Sequence, residues 1–165
     1  LLVLVPRHPE RFNDVADQAQ AAGFVVARHS AREDCLSADV VIGDTMGELM
    51  TFYGACDVAF VGGSLVANGG HNMIEPAAWG KPVLSGSSVF NFTEVSRLLT
   101  EAGGLILVET PAALAETVIQ LIRNPRRAQQ MGQQAQQVAE ANRGALEKLL
   151  TVIDRSLSAQ HPGGS

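Results

Sequence analysis

Residues 58–77 read VAFVGGSLVANGGHNMIEPA and place a short apolar run directly before two pairs of glycines. The run Val58–Val61 is continuous rather than alternating, which is typical of a buried strand in a parallel sheet. Pro76 is tolerated only in the first turn of a helix, so a helix is predicted to begin just upstream. A strand, a glycine-rich turn and a helix in this order predict a unit whose free amide groups form an anion site.

Five further apolar runs are bounded by turn residues: Leu1–Pro6, Phe24–Ala27, Asp39–Ile42, Pro82–Ser85 and Leu105–Val108. Stretches with helical periodicity separate them, and strands that alternate with helices require right-handed crossovers. The sequence therefore predicts an α/β fold with a doubly wound, Rossmann-like parallel sheet of about six strands.

The residues after Val108 contain no further apolar run of the strand type. They predict a helical C-terminal extension of three helices, over 111–123, 125–143 and 145–157. The last of these carries an apolar stripe. We assign residues 1–157 to one domain and 158–165, which contain Pro and Gly, to a flexible tail.

Composition narrows the function classes. The 165 residues carry a net charge of −5, which argues against a nucleic-acid-binding domain. The two cysteines make neither a disulfide framework nor a zinc pattern. No apolar run approaches the ~18 residues that span a bilayer. Because the first residue is Leu within an apolar run, we interpret the chain as a fragment of a longer protein.

Ligands of doubly wound sheets bind at the carboxyl ends of the strands, so the residues that follow each strand are the candidates. Arg7 and His8 follow the first strand, where a phosphate or carboxylate would be bound. A solvated turn with a charge near a helix start explains both residues equally well.

The segment Gly43–Leu49 follows the third strand. Thr45 and Glu48 fit a capping box, which explains both without any ligand. Gly47 permits a close approach of the backbone to a ligand, whereas Met46 is more often a packing residue at such a place. This segment alone is a weak signal for binding.

The strongest candidates follow the fourth strand: Gly62, Gly63, Ser64, Gly70, His71, Asn72 and Glu75. Amide groups at a helix start attract anions such as phosphate. The Glu75 carboxylate is suited to accept hydrogen bonds from two ribose hydroxyls. The alternative is that Glu75 only compensates the helix dipole, which stabilises by ~0.3–1 kcal/mol.

Several patterns are missing from the sequence. No G-x-G-x-x-G follows the first strand and no G-x-x-x-x-G-K-[ST] occurs, so nicotinamide, flavin and P-loop nucleotide sites have no support. The four histidines show no metal-ligand spacing with Cys or Asp, so no metal site is predicted.

Four motifs in register carry a resemblance to a known family: PRHPER at 6–11, GDTMGEL at 43–49, GGSL at 62–65 and GGHNMIEPA at 69–77. Together they resemble the C-terminal half of the bacterial 3-deoxy-D-manno-octulosonic acid (Kdo) transferases, which attach Kdo to a lipid A precursor in lipopolysaccharide synthesis. The resemblance covers almost the whole chain.

This resemblance implies the C-terminal domain of an inverting, metal-independent GT-B glycosyltransferase without a cofactor. The domain would bind the donor CMP-Kdo, whereas the missing N-terminal domain would supply the lipid acceptor site, the catalytic base and any membrane contact. No catalytic residue is therefore expected here, and the fragment alone should be soluble and inactive. The full-length protein would act at the cytoplasmic face of the inner membrane.

The resemblance also implies roles for individual residues. Glu75 would hold the cytidine ribose, and residues 44–48 would lie against the cytosine. Arg7, the Gly62–Ser64 turn and the Gly70–Asn72 turn would surround the phosphate and the Kdo carboxylate, with His8 a weaker assignment.

Two other classes of function fit the same residues. One is an enzyme of the same fold that uses a UDP-sugar, either a transferase or a UDP-GlcNAc 2-epimerase. The other is a nucleotide-binding module or sugar-phosphate sensor without catalysis. Preference for UMP over CMP would favour the UDP-sugar enzyme.

Overall fold

The computed structural model describes residues 1–32 and 34–159, with side chains described as far as residue 143. Within these residues the strands are β1 (Leu2–Leu4), β2 (Val26–Arg28), β3 (Val40–Ile42), β4 (Ala59–Val61), β5 (Val83–Gly86) and β6 (Leu105–Val108). The α-helices are α1 (Phe12–Ala21), α2 (Leu49–Ala55), α3 (Ile74–Ala78), α4 (Thr93–Glu101), α5 (Pro111–Arg123) and α6 (Pro125–Ala159). Short 3-10 helices lie at Pro9–Arg11, Cys35–Ser37 and Phe90–Phe92.

The chain separates into two compact units, residues 1–55 and 56–165. In the first unit, β3 lies between β1 and β2 and pairs with both in parallel. All three residues of β3 are buried, and α1 packs against them through Ala16. Because the strands are parallel, the residues that follow β1, β2 and β3 all leave the sheet at its carboxyl edge.

In the second unit, β5 lies between β4 and β6, again in parallel. Successive side chains of a strand point to opposite faces, and both faces of this sheet are apolar. Val83 belongs to a cluster with residues of α3, α4 and α6, whereas its neighbour Leu84 belongs to a second cluster with residues of α5 and α6. Helices therefore cover both faces, as a doubly wound fold requires.

Every strand overlaps one of the six apolar runs, and every recorded strand pair is parallel. The predicted fold class is confirmed. A single sheet was expected, but the hydrogen-bonded ladders join the six strands as two sheets of three, one within each unit. That residues 1–157 act as one domain stays a prediction.

The C-terminal part differs from the expected helices. Residues 125–143 and 145–157 were expected to form two helices, but α6 is a single helix of 35 residues. A glycine inside a helix costs only ~1 kcal/mol relative to alanine, so Gly144 does not end it. The expected apolar stripe of residues 146–157 lies outside the described side chains. Residues 158 and 159 of the expected tail are helical, and 160–165 lie outside the described residues.

Candidate functional site

Two glycine-rich turns of the second unit are held together by hydrogen bonds that also reach Ser88, two residues after β5. The amide of Gly70 donates to the carbonyl of Gly63 at 2.9 Å. The amide of Ser88 donates to the carbonyl of Ser64 at 3.0 Å, and the Ser88 hydroxyl accepts from the Gly69 amide at 3.2 Å. The structure thus brings the predicted turns 62–64 and 70–72 together at the carboxyl edge of the sheet.

Ser64 is the centre of this arrangement. Its side chain is buried, and its hydroxyl donates to the Val61 carbonyl at 2.8 Å and accepts from the Gly86 amide at 2.7 Å. Position 86 must be glycine, because a Cβ there would overlap the main chain of Ser64. The Ser64 hydroxyl is therefore used within the protein, and only the main chain of Ser64 is left for a ligand.

The backbone of both turns requires glycine at particular positions. Gly63, Gly69 and Gly70 have φ angles of 71°, 80° and 72°, a region that side chains disfavour. A Cβ on Gly63 would lie 3.1 Å from Nε2 of His71, so the imidazole packs over that turn. Turns of this kind leave backbone amides pointing outward, where they form anion-binding concavities.

Asn72 and Glu75 are linked at the start of α3. The Asn72 side-chain oxygen accepts from the Ile74 amide at 3.0 Å, and its nitrogen donates to Oε1 of Glu75 at 3.2 Å. Within the described part of the chain, Oε2 of Glu75 has no hydrogen-bond partner. The Asn72 side chain is thus used inside the protein, whereas Glu75 keeps one oxygen for a ligand.

Some backbone amides of this edge remain available. Gly63 and Asn72 are half-buried, and their amides donate no hydrogen bond to any residue that the structure describes. Met73 is fully buried in the core, so its amide is not counted among the available donors. The Gly70 amide, by contrast, is engaged with Gly63. The predicted anion site is therefore built from fewer amides than the glycine pattern suggests.

In the first unit, Asp44 ties the segment after β2 to the segment after β3. Its side chain is 4% exposed and lies 3.6 Å from the Arg28 guanidinium. It accepts from the Ser30 amide at 2.8 Å and from the Ser30 hydroxyl at 2.7 Å. Burial raises the pKa of the Asp44 carboxyl, but the Ser30 hydrogen bonds and Arg28 outweigh burial and hold it below its ordinary value.

Glu48 lies beside His29, with 3.2 Å between its Oε2 and Nε2 of the imidazole. The nearby Thr45 hydroxyl, and then His29, lower the pKa of the Glu48 carboxyl. Even so, the Thr45 oxygen is buried and meets no described partner at hydrogen-bond geometry. His29 also packs edge-on against Phe52, with 5.0 Å between the ring centroids.

The predicted capping box at Thr45 is wrong. Helix α2 begins only at Leu49, and the carbonyl of Glu48 accepts from the Thr51 amide at 2.9 Å. Glu48 therefore occupies the N-cap position that was expected for Thr45. Met46 is 69% exposed and does not act as a packing residue. A Cβ on Gly47 would meet open space.

Arg7 and His8 are exposed in the segment after β1. His8 lies 3.8 Å from the Glu10 carboxylate and precedes the 3-10 helix Pro9–Arg11. This geometry agrees with a solvated turn as well as with a binding role. Arg7, His8 and residues 45–48 belong to the first unit and the remaining candidates to the second, so a single site made by both groups stays a prediction.

Sequence reasoning did not single out Ser88 or the His29–Ser30 segment as candidates. The available signal was their position, since each lies within two residues of the end of a strand, at a carboxyl edge. Gly86-Ser87-Ser88 also repeats the small-residue composition of Gly62-Gly63-Ser64.

Features of two other kinds of site are absent from the described residues. No group of three or more His, Cys, Asp or Glu side chains in that part of the chain is placed to hold a metal ion. Among the described helices, none combines the length and the apolar character that crossing a membrane demands.

Comparisons with known proteins identify the family of the chain. The family model described as glycosyl transferases group 1 matches residues 13–138. The chain is 44% identical to a 3-deoxy-D-manno-octulosonic acid transferase of Haemophilus influenzae and 40% identical to one of Bordetella pertussis. Each match covers 93% of the chain and 36% of the relative, so the chain spans about a third of the length of these relatives.

One solved structure is similar as well. The C-terminal CMP-Kdo binding domain of WaaA from Acinetobacter baumannii superposes with a TM-score of 0.79 at 31% identity. The match covers 82% of this chain and 72% of that domain. The sequence, the parallel strands and the superposition agree, and the chain therefore belongs to the glycosyl transferases group 1 family and is similar within it to the Kdo transferases.

Proposed function

We propose that these 165 residues are the donor-binding part of a Kdo transferase, which binds CMP-Kdo and delivers Kdo to a lipid A precursor. Three findings support this proposal. The sequence is similar to Kdo transferases, the fold is similar to a CMP-Kdo binding domain, and the glycine-rich turns offer amide donors at the edge where doubly wound folds bind ligands.

The observation that carries the proposal is the pair of hydrogen-bonded turns beside Ser88. The open amides of Gly63 and Asn72 suit the oxygens of a phosphate. When the bond between Kdo and CMP breaks, negative charge grows on that phosphate as CMP leaves. Donors fixed before the reaction stabilise this charge without having to reorganise.

In this proposal the remaining candidate residues bind the other parts of the donor. Glu75 accepts the ribose hydroxyls through the oxygen that Asn72 does not use. Residues 44–48 lie against the cytosine, where the exposed Met46 and the open backbone at Gly47 leave room for a base. Arg7 supports the phosphate or the Kdo carboxylate, with His8 beside it.

Inversion at the anomeric carbon requires a general base that takes the proton of the acceptor hydroxyl. In the proposed assignment Glu75 binds ribose and Glu48 pairs with His29, so neither carboxylate serves as that base. The base and the lipid A site therefore belong to a part of the enzyme outside these residues. That enzyme would work at the cytoplasmic face of the inner membrane.

Calorimetric titration of the 165-residue chain with CMP and with UMP tests the proposal. We expect CMP to bind and UMP to bind at least about tenfold more weakly, a difference of about 1.4 kcal/mol. Equal binding, or a preference for UMP, would overturn the assignment to CMP-Kdo and favour a UDP-sugar enzyme. No binding of either nucleotide would overturn the donor-site assignment itself.

A further inference from the structure

Ser88 joins the candidate site through its main chain and its side chain. Its amide donates to Ser64 and its hydroxyl accepts from Gly69, so it contacts both glycine-rich turns. The side chain is half-buried, which leaves it within reach of a ligand. The end of β5, two residues before Ser88, is also held in place, because the amide of Gly86 donates to the hydroxyl of Ser64.

The Ser88 hydroxyl has a hydrogen-bonding capacity that the protein does not use. A serine hydroxyl offers one donor and two acceptor positions. One acceptor position is filled by the Gly69 amide. No atom in the described part of the chain accepts the hydroxyl proton, so this donor is available to a bound molecule. The hydrogen bond from Gly69 polarises the hydroxyl and makes it a better donor.

The surroundings favour an oxyanion as the acceptor. The open amides at this edge belong to Gly63 and Asn72, and both are donors. The Glu75 carboxylate lies at the same edge, with Oε1 engaged by Asn72 and Oε2 assigned in the proposed function to the ribose hydroxyls. Neutral hydrogen-bond donors on neighbouring turns at one edge of a sheet suit phosphate or carboxylate oxygens.

Resting on the proposed function, we infer that Ser88 is a further binding residue of the donor site and donates its hydroxyl proton to an oxyanion of the nucleotide sugar. That oxyanion is either the CMP phosphate or the carboxylate of the sugar acid. The hydrogen bond from the Gly69 amide orients the Ser88 hydroxyl, so the donor is in place before the ligand binds.

The test compares two adjacent serines. Ser88→Ala removes the donor, whereas Ser87→Ala is the matched control, because Ser87 is exposed and makes no hydrogen bond with the described residues. Binding of cytidine, CMP and CMP-Kdo is measured by titration for the 165-residue chain and both variants. The thermal unfolding midpoint without ligand is recorded in parallel.

We expect Ser88→Ala to weaken binding by about tenfold or more, since hydrogen bonds to charged groups are the stronger kind, and Ser87→Ala to change nothing. Loss for CMP with cytidine unchanged assigns Ser88 to the phosphate, and loss for CMP-Kdo alone assigns it to the sugar carboxylate. Equal binding by Ser88→Ala, or equal losses for all three ligands with a lower midpoint, overturns the inference. Failure of the unmodified chain to bind CMP would instead overturn the proposed function.

Discussion

The Ser64 hydroxyl accepts a hydrogen bond of 2.7 Å from the amide of Gly86, at a point where the two main chains are too close for any side chain at position 86. This contact joins the end of β5 to the turn that follows β4. A residue predicted to contact the ligand thus uses its side chain to build the edge on which the ligand is proposed to bind.

Ser64→Ala is expected to lower the free energy of unfolding by about 1–3 kcal/mol. It leaves the Gly86 amide and the Val61 carbonyl without their buried partner, and an unsatisfied buried group carries its full desolvation cost. Urea unfolding of the variant measures this loss.

Ser85→Ala is the matched control. Ser85 is equally buried in β5, but its hydroxyl has no hydrogen-bond partner in the part of the chain that the structure describes. Removing it should leave stability unchanged or slightly raised. Equal losses of stability for Ser64→Ala and Ser85→Ala would show that the hydrogen bonds of the Ser64 hydroxyl contribute nothing to the free energy of unfolding.

Glu75→Ala is expected to weaken CMP binding by ~1.5–3 kcal/mol, because a charged acceptor of the ribose hydroxyls is lost. Glu94→Ala is the control, since Glu94 also lies in the first turn of a helix but pairs with Arg97 on the surface. Calorimetric titration with CMP distinguishes the two variants. An unchanged dissociation constant for Glu75→Ala would contradict the ribose contact and leave compensation of the helix dipole as the role of Glu75.

Asp44→Asn is expected to lower stability at pH 7 by about 1–3 kcal/mol, because Asn cannot accept both Ser30 donors and the Arg28 charge. The folded pKa of Asp44 lies below its ordinary value of 3.8, so its contribution is complete above that value and is lost as the pH falls through the folded pKa. Urea unfolding between pH 3 and 7 should show the two proteins converging at low pH.

Asp17→Asn provides the comparison for that series, since Asp17 is exposed on α1. Its unfolding curve should follow that of the unmodified chain at every pH. A constant difference between Asp44→Asn and the unmodified chain, with no convergence in acid, would contradict the role given to the Asp44 carboxylate.

The isolated chain is expected to bind CMP but to transfer no Kdo. In the proposed assignment, Glu75 binds ribose and Glu48 pairs with His29, so neither carboxylate serves as the general base. Incubation with CMP-Kdo and a lipid A precursor, followed by measurement of incorporated Kdo, tests this. Transfer above the level without protein would require a catalytic base within these 165 residues.

Hydrophobic patterning predicted the fold because every strand overlaps an apolar run, and most of these runs supply the core. Strand β1 is the exception, since Leu2 and Val3 are exposed. The run at 40–42 is buried throughout, and Val83 and Leu84 each enter a separate core cluster. A pattern of this kind reports burial but not pairing. The hydrophobic pattern therefore could not predict that the strands divide into two sheets of three.

The candidate site was predicted in position but not in detail. Glycine and serine after a buried strand indicate a turn, yet they do not show whether a serine hydroxyl faces the protein, as in Ser64, or the ligand, as proposed for Ser88. The same limit explains why the capping box predicted at Thr45 is wrong. Its capping signature was complete, but the helix begins at Leu49, after a turn in which Gly47 adopts a φ of 83°.

Helix α6 contributes to both core clusters of the second unit, with Ala135 and Ala139 in one and Met131 in the other. Both clusters therefore contain residues that leave the ribosome after β6 and α5. Synthesis proceeds at about 5–20 residues per second, so a nascent chain that has reached β6 waits on the order of seconds for these side chains. Until then the apolar residues of β4–β6 lack their α6 partners, and exposed apolar surface of this kind makes a folding chain prone to aggregate.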